Sequence, residues 1–486
     1  MKLPDTKSTG DHSFGCGWAA LYSSVVSFML LVAAMQAASI RRVPSRSLKK
    51  TVTVFVKETT RQIGGRFSLP LSTVAENRNM IGNKEVSMRA VAASTAVALL
   101  MIEAFAFQTG KQIVRVGPDF NLPFSPAVKA GNFIYVAGTM ATDERGQLVS
   151  GDIKAQTKRT LDSISQVLKA AGSSLENAAS VYVYLKSASD FQAMNEVYKT
   201  YFPKDPPART TVQTNLVLPE GLIEISMIAI PDGRERKAIH PPGWMKSPNP
   251  YSYGIKSGDT LFLAGLVSRN GKDNAVVGGD IKAQTRTAME NAGEILKAAG
   301  MTHADVVSSR VYITDTAMFQ DMNSVYRTYF PKDPPARATV RAGLMGPQFV
   351  VEITTVAVKG PAREAITTPN PDGTAGRQSP NLSSAIRVGN RLYLSGMLGI
   401  NEANKSDVKG QARETLASLG RTLKAAGFDR DHVVDAVAYL TDVKNFSGMN
   451  EAYREVFSKD FPARATVGVG IVAPDGLVEI MLTAVK

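Results

Sequence analysis

One cysteine, Cys16, stands in this chain of 486 residues. The rest of the chain can therefore hold no disulfide, no thiol nucleophile and no zinc–thiolate site. Histidine is nearly as scarce: His12, His240, His303 and His432 are scattered, without metal-ligand spacing, and read as surface or linker residues. No metal and no cofactor is expected. A concentrated positive charge is also missing. Residues 1–106 hold 13 Lys and Arg against 6 Asp and Glu, a net of +7 out of +13, which leaves +6 for the other 380 residues. That excess is mild, and no basic stripe is interleaved with aromatics, so no nucleic-acid partner is expected. What is present is ordinary globular material, 44% apolar and 20% charged, at a length that predicts two to four domains.

Residues 1–87 fit no pattern found later in the chain. Residues 18–38 are apolar enough for a membrane span of about 20 residues. From Met88 the chain reads MRAVAASTAVALLMIEAFAFQ: a basic start, an apolar stretch and an A-x-A site at Ala104 to Ala106. The expectation is a leader over 1–87 upstream of the true start (Met80 or Met88) and a signal peptide over 88–106. The mature protein then begins near Phe107, has no stable membrane span and is exported, to the periplasm; without a signal peptide it is cytoplasmic. A helical anchor or a disordered arm is the alternative.

The remainder repeats itself. GDIKAQTKRTLDSISQVLKAAG from Gly151 returns as GDIKAQTRTAMENAGEILKAAG from Gly279 and as SDVKGQARETLASLGRTLKAAG from Ser406. MNEVYKTYFPKDPPARTTV from Met194 returns from Met322 and from Met449. Offsets of 128 and 127 residues mean fused whole domains rather than a solenoid of short units. We place them at 112–231, 245–359 and 376–486.

Each repeat predicts the same elements. NFIYVAGT from Asn132 suits a strand. Ile153, Thr157, Thr160, Ile164, Val167 and Ala171 form one helical stripe, with Asp152 to cap it and Gly172 to end it in a left-handed turn. SVYVYLK from Ser180 is a strand, and Phe191, Met194, Tyr198 and Tyr201 mark a second helix. The prolines of PPAR allow only an edge or entry position for the strand that follows. GLIEISMIAI from Gly221 closes the unit. The fold class is α+β, a mixed sheet with two helices on one face. Segments 231–248 and 359–380, rich in Pro, Gly and charge, read as linkers. The shorter could span up to roughly 60 Å at ~3.3 Å per residue.

Three polar positions recur. An Arg follows Pro-Ala in every repeat: Arg209, Arg337 and Arg464. Fifteen residues later a Glu interrupts an apolar strand: Glu224, Glu352 and Glu479. Such a carboxylate is costly to bury unless it has a partner or a task, and Arg offers a planar fork that matches a carboxylate ligand. An ion pair across neighbouring strands explains both residues equally well. Asn195, Asn323 and Asn450 lie on the apolar side of the second helix, where a bond to nearby backbone is the plain alternative.

An aromatic-Ser pair seven residues before a Gly (Leu-Ser in the third repeat), a strand ending in Gly, the PAR strand and the Glu fifteen residues on recur in order, three times. Over about 110 residues each time, this pattern resembles the Rid (YjgF-type) family of reactive-intermediate deaminases. The resemblance implies a chorismate-mutase-like fold that assembles as a trimer with clefts between subunits; here three domains on one chain would form an intramolecular pseudo-trimer, a monomer in solution. It implies that Arg209, Arg337 and Arg464 hold a substrate carboxylate, and that Glu224, Glu352 and Glu479 position a water against the imine carbon of a 2-imino acid. Asn195, Asn323 and Asn450 match the family's cleft Asn. Gly138, Gly265 and Gly396 match the glycine that lets substrate approach backbone.

The chain departs from the family where a Tyr is common. Phe124, Tyr251 and Leu382 stand there, so the second repeat alone keeps the hydroxyl. A family Ser before the cleft Gly is Ala137 and Ala264, kept as Ser395. The implied reaction is hydrolysis of imines, such as 2-iminopropanoate from 2-aminoacrylate, to a 2-keto acid and ammonia. The alternatives are a non-catalytic binder of small carboxylates or scaffold, and an endoribonuclease of the L-PSP type.

Overall fold

The computed structural model describes residues 110–118, 120–360 and 362–486, which belong to one compact unit. The leader, the segment 88–106 and the apolar stretch 18–38 lie outside the described residues. Among the described residues no helix is long and apolar enough to cross a membrane.

The three long helices α1 (Ile153–Ala170), α3 (Ile281–Ala298) and α5 (Val408–Ala425) each have 18 residues. Asp152 and Asp280 cap the first two by accepting from the backbone N–H of Ala155 and Ala283 at 2.9 and 2.8 Å. Gly172, Gly300 and Gly427 end all three with φ of +74° to +75°, a conformation that L side chains disfavour. The predicted stripe of α1 is buried from Ile153 to Val167. Three shorter helices, α2 (Phe191–Tyr201), α4 (Phe319–Tyr326) and α6 (Phe446–Val456), pack beside them.

In the first repeat the strands lie side by side in the order Gln112–Val114, Ala127–Ala130, Phe133–Met140, Ile223–Ala229, Ala178–Leu185, Ala208–Gln213. Only the last two run parallel, so the sheet is mixed. The strand after PPAR starts directly behind its prolines, at Ala208. Two early strands, only three and four residues long, gave no readable alternation in the sequence. The segments read as linkers also do more than connect. Lys237–Ile239 pairs with Gly254–Ser257, and Arg363–Ile366 pairs with Ala385–Val388. Each lays the outermost strand on the sheet of the following repeat.

The other end of each sheet is completed by a different repeat. Gly343–Leu344 of the second repeat pairs with Val212 and Gln213 of the first. Gly470–Ile471 of the third pairs with Val340 and Arg341 of the second. Asn215–Leu216 of the first pairs with Val467 and Gly468 of the third, which closes the ring. An edge strand is a row of unpaired backbone groups that invites association; here each such edge, behind its arginine, is capped within the chain. Helices cover one face of every sheet. The opposite faces meet in a shared core that includes Tyr184, Tyr312 and Tyr439, one from each repeat.

Candidate active site

Arginine and glutamate of one repeat do not pair. Ala178–Leu185 lies between the strand of Arg209 and the strand of Glu224, so the two residues are not on neighbouring strands. The same holds in the other repeats. Each Arg instead faces the Glu of another repeat. Arg209 acts electrostatically on Glu352, Arg337 on Glu479 and Arg464 on Glu224. The backbone N–H of Thr211 bonds Glu352, and that of Thr466 bonds Glu224. Three clefts result, each built from two repeats.

The clefts are held by backbone contacts across the repeat boundaries. The N–H groups of Ser125, Ser252 and Ser383, next to Phe124, Tyr251 and Leu382, donate to the carbonyls of Pro462, Pro207 and Pro335 at 3.0 to 3.3 Å. Gly265 N–H donates to Arg209 C=O at 3.1 Å, and Gly396 N–H to Arg337 C=O at 3.2 Å. Ser125, Ser252 and Ser383 are therefore docking elements, and in the first two repeats the aromatic before Ser is placed at the neighbour's arginine. Phe124 lies 5.4 Å from the Arg464 guanidinium, and Tyr251 lines one cleft with Arg209.

Every arginine is enclosed. Arg209, Arg337 and Arg464 are 4%, 1% and 1% exposed, and desolvation lowers the pKa of all three, that of Arg464 to about 10. An aromatic floor supports each guanidinium: Tyr198, Tyr326 and Tyr453 at 4.6, 4.7 and 4.6 Å, with Phe191, Phe319 and Phe446 nearby. These rings were legible as a helical stripe but not as cleft residues. Asn323 and Asn450 accept from the Nη2 of Arg337 and Arg464 at 2.6 Å, so they fix the fork rather than bond backbone. In the first repeat Asn195 is buried with neither amide atom partnered inside the protein. Arg209 Nη1, Arg337 Nε and Nη1 and Arg464 Nε are likewise buried without a protein acceptor. Leaving such donors unmet costs on the order of 1–3 kcal/mol each, and a bound anion would meet them.

The three glutamates are 3–5% exposed, and burial pushes each carboxyl up to about 8 against the nearby arginine. The glycines serve them. A Cβ on Gly138, Gly265 or Gly396 would stand 1.9 Å from the Oε1 of Glu224, Glu352 or Glu479 of the same repeat. The carboxylate occupies the space that any larger residue would fill. Buried Gln156, Gln284 and Gln411 were not singled out by sequence. They accept from the N–H of Leu222, Val350 and Leu477 at 2.9, 3.0 and 2.8 Å, two residues before each Glu, and so set where the glutamate strand begins.

The clefts differ in detail. The one between the first and second repeats is lined by Arg209, Asn249, Tyr251, Arg269, Phe349 and Glu352 among others. The one between the second and third has Leu382 in place of the aromatic. There the Ser395 hydroxyl accepts from Arg337 N–H at 2.8 Å and donates to Ser383 C=O at 2.6 Å, so it is committed to the repeat boundary. Among the described residues no group of three or more His, Cys, Asp or Glu stands together as a metal site would need.

A threefold ring of α+β domains with a buried Arg, an opposed Glu and an aromatic floor in each cleft defines a class of protein whose clefts are assembled between domains. The family model described as Endoribonuclease L-PSP matches residues 116–231, 244–359 and 376–486. The chain belongs to this family, the Rid proteins, and carries it in three copies. It is 48% identical over 108 residues to a RutC family protein of Pyrococcus abyssi, covering 22% of this chain and 85% of that protein. It is 43% identical over 108 residues to the 3-aminoacrylate deaminase RutC of Acinetobacter baylyi, covering 22% of this chain and 86% of that one. Among solved structures, RidA from a Psychrobacter species is 28% identical and is covered over 99% of its length by 25% of this chain, at a TM-score of 0.24.

Proposed function

We propose that the chain is a hydrolase of 2-imino acids and their enamines, releasing the 2-keto acid and ammonia. The observation that carries this reading is the opposition, across each repeat boundary, of a buried guanidinium with unmet donors and a glutamic acid whose pKa is about 8. The arginine fork takes the substrate carboxylate. A carboxyl with a pKa near neutral both donates and accepts protons at physiological pH. Protonated, it gives its proton to the enamine carbon and forms the iminium. Ionised by that transfer, it takes a proton from water as the oxygen attacks C2. The same proton then goes to nitrogen, the hydroxyl proton returns to the carboxylate, and C–N cleavage leaves keto acid and ammonia. Relatives support the class: one carries the name 3-aminoacrylate deaminase.

The test generates 2-iminopropanoate in the cuvette from alanine with a flavin oxidase and follows imine loss and ammonia release. Arg-to-Ala at 209, 337 and 464 together is expected to remove the acceleration with the fold intact by circular dichroism. Full activity in that variant overturns the reading. An RNA substrate and ligand titration of a catalytically silent protein separate the nuclease and binder alternatives in the same preparation.

A further inference from the structure

One cleft carries a second arginine. Arg269 lines the cleft of Arg209 and Glu352, and its guanidinium lies 4.9 Å from the ring of Phe349, which lines the cleft too. Nη1 of Arg269 donates to Asn274 C=O at 2.8 Å, which holds the side chain in place. The Tyr251 phenol feels the charge of both Arg209 and Arg269, and all three line the cleft. The arrangement belongs to the second repeat alone. The bridge of Arg269 to Val276 is matched in the first repeat by that of Thr142 to Leu148. The bridges of Leu266 to Ile353 and of Met397 to Ile480 align the third repeat, which puts Ile400 at this place. Phe349 stands three residues before Glu352, where the other repeats have Gly221 and Gly476. Arginine and platform are thus present together or absent together.

We infer that the cleft between the first and second repeats selects dicarboxylates: Arg209 takes the 2-imino acid carboxylate and Arg269 a second carboxylate at the far end of the side chain. Arg269 is a specificity-determining residue for this cleft, and the inference rests on the deaminase reading for its substrate class. Two cations line this small cleft, and the one facing carboxyl, Glu352, is raised to about 8 and so mostly uncharged at neutral pH; the pair of positive charges that remains is matched by a dianionic ligand and only half matched by a monoanionic one. The substrate is accordingly a 2-imino dicarboxylic acid with a short chain. The hydrolysis balances as before, imine and water giving keto dicarboxylate and ammonia.

The test starts from the full chain carrying Arg337→Ala and Arg464→Ala, which leaves one arginine clamp. Succinate and propanoate are titrated by calorimetry, as stable ligands that need no catalysis. Succinate is expected to bind roughly tenfold tighter or better, as for an added hydrogen bond to a charged group. Arg269→Leu should bring the succinate-to-propanoate ratio close to one, and Arg269→Lys should restore part of it. A ratio unchanged by Arg269→Leu, in a protein whose melting temperature shows it folded, overturns the inference. In the same background, imine made from aspartate and from alanine by the matching oxidases is compared. Selective binding without turnover of either imine sinks the deaminase reading but keeps the dicarboxylate site. Turnover of both at rates that Arg269→Leu changes in equal proportion does the opposite.

Discussion

Arg310 of the second repeat approaches Asp435 of the third, Nη2 to Oδ2 at 3.8 Å, in the interior where the three sheets meet. Its guanidinium also lies 4.0 Å from the ring of Tyr182 of the first repeat. The counterparts of Arg310 are Tyr182 and Val437, and those of Asp435 are Ser180 and Ser308. A trimer of identical chains would bring three arginines or three aspartates together here. Fusion lets one of each occupy the place.

Removing one member of this pair strands the other. Arg310→Met is expected to destabilise by about 3–5 kcal/mol, the range for breaking a buried pair. Adding Asp435→Val should recover a large share of the loss. A double-mutant cycle in urea measures it, and simple additivity of the two single effects would show that the pair is not coupled.

The glutamates make stability fall as pH rises. Burial lifts Glu224, Glu352 and Glu479 from 4.5 to about 8, and Asp435 from 3.8 to about 6. In each case the folded chain binds the proton more tightly than the unfolded one. The stabilisation is complete below about pH 4 and is lost as pH climbs through 6 and then 8. Midpoints of denaturation should therefore decline between pH 5 and 8. Glu-to-Gln at 224, 352 and 479 should flatten most of that slope; an equally steep decline in the triple variant would contradict the raised values.

Gly265→Ala places a methyl 1.9 Å from Glu352 Oε1, so the carboxylate must move. Overpacking of this kind costs roughly 1–3 kcal/mol. In a chain with Arg337 and Arg464 already changed to Ala, imine hydrolysis should drop at least tenfold, since a shift of about 1 Å costs that much or more. Retained turnover at the starting rate would mean that Glu352 does not need its present position.

Because the sheet edge behind each arginine is capped by another repeat, the chain has no need of a second copy to complete its clefts. Light scattering is expected to give one chain's mass, 52.1 kDa. Linking the domains makes their docking intramolecular, at an effective concentration of order millimolar. Dilution should leave that mass unchanged, and a mass of three chains would refute the assignment.

The local elements could be read from residues one stretch at a time. The cap at Asp152, the left-handed stop at Gly172 and the stripe between them are short-range features, fixed by 3.6-residue periodicity and backbone sterics. The recurrence of Arg209, Glu224 and Asn195 with their counterparts needed only counting, and the family pattern turned them into a site. What no such reading could supply was who faces whom. The fifteen-residue spacing is compatible with a pair of Arg209 and Glu224, yet Ala178–Leu185 intervenes, and Arg209 meets Glu352, 143 positions away. Two-residue strands such as Gly343–Leu344 carry no periodicity at all; they exist because a neighbouring edge offers unpaired groups. No sequence pattern marks Arg269; the fold sets Phe349 against it and Arg209 in the same cleft. Sequence determined the elements and the residues able to do chemistry; tertiary structure decided their partners, because pairing across repeats depends on sheet closure between segments far apart in the chain.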